Sequence, residues 1–201
     1  MTESVTQQLL YFIAGCTTGG ILIGIITVVL RLLGVIRIQP LHNGVAAGIS
    51  KQERFVTNPF WLLLFAVLEE AFARAFLIGW VGHYTGMVIA FAISAVVFAV
   101  LHIPNGRPTV ISMLNLGLVT IVFGLVYLQF GLVAAIGVHY GWNLMQWPIL
   151  GYPMYGRQVG RWLSTRATGP EWVSGGEFGP EYSVVASVLL GICIVVLFLF
   201  A

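Results

Sequence analysis

Six stretches of the chain, at about 8–33, 59–82, 86–102, 109–130, 131–149 and 183–201, consist almost wholly of apolar residues. Most approach the roughly 20 residues that a helix needs to cross the hydrocarbon core of a bilayer. A backbone in hydrocarbon has no water to bond, so segments of this length must satisfy their own amides as helices. The expected fold class is therefore all-α: a polytopic transmembrane helical bundle of about six spans, forming a single integral-membrane domain over 1–201. The third and fifth stretches are short, which suits tilted or partial spans, and Gly131 marks a tight turn between two helices.

Composition closes off the other classes. Only 8% of residues are charged and 59% are hydrophobic, against roughly 25% charged in soluble domains. The net charge of +2 is small and its Lys and Arg are scattered, so there is no basic face for nucleic acid. Cys16 and Cys193 lie in apolar runs without a CxxC pair, which indicates neither a zinc cluster nor a disulfide framework. Met1 to Gln8 carries Glu3 but no Lys or Arg; lacking a basic signal region, the first apolar run reads as a retained span.

Gly15-Gly19 and Gly20-Gly24 are GxxxG pairs in that span, a spacing that lets helix backbones approach closely. Trp61 and Trp80 stand 19 residues apart, about 28 Å along a helix, matching two interfacial aromatic belts. Arg31, Arg37, Lys51, Arg54, Arg107, Arg157, Arg161 and Arg166 all fall on one side of a six-span bundle, while the connections at His83–Gly86 and Phe130–Gly131 carry no Lys or Arg. The positive-inside rule then puts the long loops in the cytoplasm and both termini outside.

The ninth basic residue, Arg74, lies mid-span beside Glu69 and Glu70. Three ionisable residues near a bilayer centre oppose insertion by roughly 7–10 kcal/mol, whereas the Leu, Ile, Val and Phe of Phe60 to Val81 return roughly 4–7. This helix needs partners within the protein. Glu70 and Arg74 are spaced i,i+4 with the acid first, the favourable order for an ion pair. Glu69 points about 100° away around the helix and is left to face something else. His102 ends the third span; His139 and Asn143 share a face of the fifth by the same i,i+4 spacing. Under the six-span orientation all of these fall in the cytoplasmic half. They form either a polar cluster that holds helices together or a reaction centre.

Three motifs sharpen the choice: EExxxR as Glu69, Glu70 and Arg74; FxxxH as Phe98 and His102, followed by Pro104 and Asn105; and HxxxN as His139 and Asn143. In this order on three spans, over about 59–149, the chain resembles the CPBP family, the CAAX-protease and bacteriocin-processing (Abi, Rce-like) intramembrane peptidases. The family often has Phe before the motif arginine and Gly after it, where this chain has Ala73 and Ala75. The resemblance implies that Glu69 and His102 activate a water, that His139 and Asn143 stabilise the oxyanion, and that Glu70 and Arg74 support the site. It also implies a peptide or lipidated protein as substrate and membrane lipids as surroundings. Glu69, His102 and His139 make a sensible zinc set, with metal-free water an equal alternative.

Other intramembrane protease classes fit less well. The chain has no Asp for an aspartyl dyad and no HExxH, and neither Ser94 nor Ser112 sits in a nucleophile elbow. A function of another class stays open: a non-proteolytic scaffold, or an ion- or proton-coupled carrier using the buried charges. Residues 150–182 are rich in Gly and Pro and are expected to form an irregular loop, either a lid or a connector.

Overall fold

The structure, a computed structural model, describes residues 4–41, 51–103, 107–154 and 156–200. Helices dominate it. α1 (Val5–Leu32) is capped by the Ser4 side chain, which accepts from the Gln7 amide. β1 (Ile36–Pro40) and α2 (Lys51–Val56) lead to α3 (Pro59–Glu70), where Asn58 caps and Pro59 opens the helix. Pro is suited to that first position because its missing N–H would have had no helical partner. Helical structure then continues without a break through a π-helical stretch, Ala71–Val81, into α4 (Gly82–Thr85).

Gly86 at φ 83° turns the chain into α5 (Met87–His102), and α6 (Val110–Leu144) starts from a reciprocal Thr109–Ser112 capping box. Gly131, at φ 83° and ψ 175°, breaks α6 into two helices. A side chain would oppose that backbone conformation, so glycine makes the tight turn possible. A short π-helical turn, Met145–Ile149, ends this stretch. β2 (Pro153–Met154), β3 (Arg157–Gln158), β4 (Leu163–Ala167), α7 (Glu171–Ser174) and two 3-10 turns precede α8 (Val184–Leu199), which Ser183 caps.

Two features depart from the all-α, irregular-loop expectation. β1 pairs antiparallel with β4, Ile36 opposite Ala167 and Pro40 opposite Leu163, and β2 pairs with β3. The 150–182 segment is thus partly ordered as strands and short helices, because its own backbone and that of β1 supply the ladder partners that a polar loop otherwise takes from water. Two helical stretches, Val5–Leu32 and Val110–Ile149, are long and apolar enough to cross a membrane, and Met87–His102 and Val184–Leu199 are shorter apolar helices. Six spans exceed what helix length and hydropathy establish. Large apolar side chains cover the outside of these helices, among them Val88, Val96, Ile192 and Phe198, a surface suited to lipid.

The core runs between α1, α6 and α8, around Ile23, Leu30, Phe123, Trp142 and Leu190. α1 and the second half of α6 meet through glycines from both sides. A Cβ on Gly15 would lie 2.5 Å from the Ala134 oxygen and one on Gly19 2.0 Å from the Val138 oxygen; one on Gly141 would lie 2.0 Å from the Cys16 oxygen. The Gly15-Gly19 pair therefore meshes with Gly137 and Gly141, whereas Gly24 of the second pair faces open space. Spacing alone could not separate the two pairs, since both satisfy GxxxG.

Gly19→Leu and Gly141→Leu are each expected to lower the thermal midpoint in detergent, the overpacking costing about 1–3 kcal/mol or more. Gly24→Leu should leave it unchanged. Equal midpoints for all three would contradict the meshed interface.

Candidate active site

Glu69 and Glu70 are the last two residues of α3, directly before the π-helical stretch. Such insertions often mark functional sites. Here the neighbouring helix holds one of its carbonyls: the Ser94 hydroxyl of α5 donates to the Ala73 oxygen at 3.0 Å. Ser94 is thereby committed to a backbone bond and Ser112 to the α6 cap.

Glu70 and Arg74, both with fully buried side chains, pair at 3.0 Å between Oε2 and Nε. Arg74 has no well-aligned hydrogen bond from any guanidinium nitrogen. Besides the ion pair, two aromatic faces cover it, Phe98 at 5.0 Å and Phe123 at 5.3 Å from the ring centroids, contacts that gain strength where water is excluded. The other Glu70 oxygen, Oε1, lies 2.7 Å from His139 Nδ1. With that nitrogen as donor to the carboxylate, Nε2 is the ring atom left for other work.

His102 is fixed in the same manner. Its Nδ1 lies 2.8 Å from the Phe98 carbonyl one turn earlier, which makes Nδ1 the donor and leaves Nε2 free of that bond. Phe98 thus stacks on Arg74, packs against the His102 ring at 4.3 Å and supplies the carbonyl that orients it. These contacts give a physical reason for a phenylalanine four residues before the histidine.

Both free nitrogens approach the same oxygen. Glu69 Oε2 lies 3.7 Å from His139 Nε2 and 4.0 Å from His102 Nε2, with 40% of the Glu69 side chain exposed. These separations are too long for direct hydrogen bonds and leave width for a bridging water. Glu69, His102, His139 and Asn143 all line one cavity of about 430 Å³, together with Phe98 and Phe123. Glu70 and Arg74 stand behind its wall. The structure therefore gathers the six candidate site residues and Phe98 in and around this cavity, while Pro104 and Asn105 lie outside the described residues.

Among the described residues, no three His, Cys, Asp or Glu side chains are placed to hold one metal ion. Glu69, His102 and His139 would be the residues to hold zinc, but Glu69 Oε2 stands 4.0 and 3.7 Å from the two Nε2 atoms, wider than the roughly 3.4 Å between donors of a tetrahedral zinc site.

Residues beyond the three motifs complete the cavity. Phe123 covers Arg74 and packs 5.6 Å from the His139 ring, but nothing distinguishes it from neighbouring apolar residues in sequence. Met154, Val159, Glu181 and Tyr182 reach the cavity from the C-terminal segment. Burial pushes the Glu181 carboxyl up to about 7, against hydrogen bonds from Gln146 and the backbone that lower it. Gln146 follows Asn143 by three residues on the same helical face, a signal available in the sequence; Glu181 had none.

Arg74→Ala would leave Glu70 as an uncompensated buried charge, so a loss of about 3–5 kcal/mol of stability is expected. Thermal unfolding in detergent measures it, and an unchanged midpoint would show that Glu70 has no need of the cation.

Residues 52–145 match the family model described as type II CAAX prenyl endopeptidase Rce1-like. No curated protein and no solved structure matches the chain. The matched stretch contains all six candidate site residues and Phe98 and nearly coincides with the region that carries the resemblance. This match to an Rce1-like model is consistent with the CPBP family and supports a membrane location and a protease-like function.

Proposed function

We propose that this protein is an intramembrane endopeptidase of the CPBP type, cleaving a peptide or lipidated protein with a water activated by Glu69 and His102. The observation that carries this reading is the shared focus of two histidine Nε2 atoms on one Glu69 oxygen inside a common cavity.

In this reading the water sits between Glu69 and His102. The Glu69 carboxylate takes its proton as the oxygen attacks the scissile carbonyl, and the resulting tetrahedral oxyanion needs donors. Asn143 supplies one from its amide. His139 supplies a second when doubly protonated, since Nδ1 is engaged by Glu70 and only Nε2 reaches the cavity. Collapse of the intermediate breaks the C–N bond as Glu69 returns the proton to the leaving amine. Glu70 sets the His139 ring, and Arg74 holds Glu70.

The same proposal takes all six apolar stretches as spans, with the long loops cytoplasmic and both termini outside. Pairing of β1 with β4 supports it, because it joins the first long connection to the last and sets Arg37 directly opposite Arg166. Arg157 also pairs with Glu53 at 3.2 Å across those connections.

The test is reconstitution in lipid with a panel of lipidated and membrane-embedded peptides. Glu69→Ala is expected to lower kcat by about 10²–10⁴-fold, the usual range for a general base. Asn143→Ala should cost about 10²–10³-fold, as for other oxyanion donors. Cleavage should survive a metal chelator. Undiminished turnover by Glu69→Ala would remove the assignment.

A further inference from the structure

Glu181 is an ionisable group in this cavity for which the proposed reaction has no use; Glu53 and Arg157, which also line it, pair with each other. Glu181 comes from the 3-10 turn Pro180–Tyr182, outside the stretch that matches the family. Its backbone is held firmly: Asn115 Nδ2 of α6 donates to the Glu181 carbonyl at 2.7 Å and to that of Ser183 at 3.0 Å, and the Ser187 hydroxyl of α8 donates to Asn115 Oδ1. These bonds join α6 to α8 through the main chain and need no carboxyl at position 181.

The side chain has a separate partner. Gln146 Nε2, from the turn that ends the His139 helix, donates to Glu181 Oε2. Gly179, at φ 102°, lies against this pair, where a Cβ would come 3.2 Å from the amide nitrogen and 3.4 Å from the carboxyl oxygen. Among the described residues no Lys, Arg or His is within ion-pair distance of Glu181. An acid enclosed without a cation costs stability, and here the group so placed lines the cavity that holds Glu69 and both histidines.

Position says what it can meet. Gln146 follows His139 by seven residues on one helical face, about 10 Å at 1.5 Å per residue, which is about three residues of extended peptide at 3.3 Å each. We propose that Glu181 is a substrate-contacting residue, whose carboxyl donates a hydrogen bond to a carbonyl oxygen of the bound peptide about three residues from the cleaved bond. It thereby fixes which bond lies over the water. This rests on the protease reading and assigns a specificity contact to it. The raised ionisation range agrees: the group keeps its proton up to about pH 7 and can serve as a donor.

The titratable and charged groups around it are Tyr182 on its own turn, Tyr152 from the segment after α6, Glu171 and Glu177 on the flanking short helices, and Glu53, Glu69, His102, His139 and Arg157 in the shared cavity. Glu181→Gln, which removes only the Glu181 ionisation, isolates its contribution from theirs.

The experiment measures binding of a fluorescent farnesylated CAAX-type peptide to protein in lipid nanodiscs at pH 6 and pH 8. All proteins carry Glu69→Gln so that cleavage cannot interfere. With Glu181 present, Kd should rise several-fold from pH 6 to pH 8 as the donor proton is lost. Glu181→Gln should keep the pH 6 affinity and lose most of that slope. Glu181→Ala should bind about tenfold more weakly at pH 6; if it proves unstable in a thermal melt, the Gln variant decides the matter through its slope. Equal affinities at pH 6 for Glu and Ala, a Gln variant that keeps the full slope, or no saturable binding would each overturn the proposal. Cleavage by the protein with Glu69 intact is scored separately, so failure of the protease reading is seen apart from failure of this contact.

Discussion

The carboxylate of Glu70 is the group on which the rest of the site depends. One oxygen meets Arg74 and the other meets His139 Nδ1, with both acid and guanidinium fully buried. Removing a charge from water is costly unless it is compensated, and in an apolar helix the partner must come from the protein. Glu70 satisfies Arg74 locally and, with its second oxygen, reaches across to α6. The need to neutralise one charge thereby becomes a means of fixing an imidazole: the tautomer of His139, and the nitrogen it offers to the cavity, follow from Glu70. Glu69, one residue earlier, is released from any such pairing and keeps its exposed oxygen for the cavity.

That arrangement requires α6 to hold its position to a fraction of an ångström, and lipid offers little hydrophobic drive to press helices together. Backbone contact supplies the precision. Gly137 and Gly141 flank His139 in sequence and mesh with Gly15 and Gly19 of α1, so the histidine sits on a stretch of helix whose rear face admits no other spacing. On the opposite side Phe123, from the half of α6 before the Gly131 turn, packs against both Arg74 and His139. Glycine behind the helix and an aromatic ring before it hold the imidazole between them.

Much of this was legible in the sequence because helical spacing and the cost of charge in lipid are local rules. The i,i+4 pairs Glu70–Arg74 and His139–Asn143 and the helix boundaries near Pro59, Gly86 and Gly131 follow from them. The π-helical stretch did not follow, since the hydrophobic pattern of Ala71 to Val81 suits either helix and the choice rests on contacts such as Ser94 to Ala73. Pairing of β1 with β4 was hidden for another reason: its partners are more than a hundred residues apart, and neither strand alternates strongly enough to announce itself. Phe123 and Glu181 owe their roles wholly to tertiary neighbours.

The cavity also divides along the chain. The matched stretch, 52–145, contributes the acid, both histidines and the asparagine, while Met154, Val159, Glu181 and Tyr182 come from beyond it. The proposed hydrolysis demands fixed geometry, and the groups assigned to it lie on long helices locked by ion pairing and glycine contacts. Recognition needs a wall that can differ in shape without disturbing those groups, and a loop braced by short strands and by Asn115 and Gln146 can provide one. Because the loop's main-chain bonds to α6 are made by Asn115 and its side-chain bond by Gln146, the surface offered to a substrate can change at Glu181 while the helix that carries His139 stays where it is.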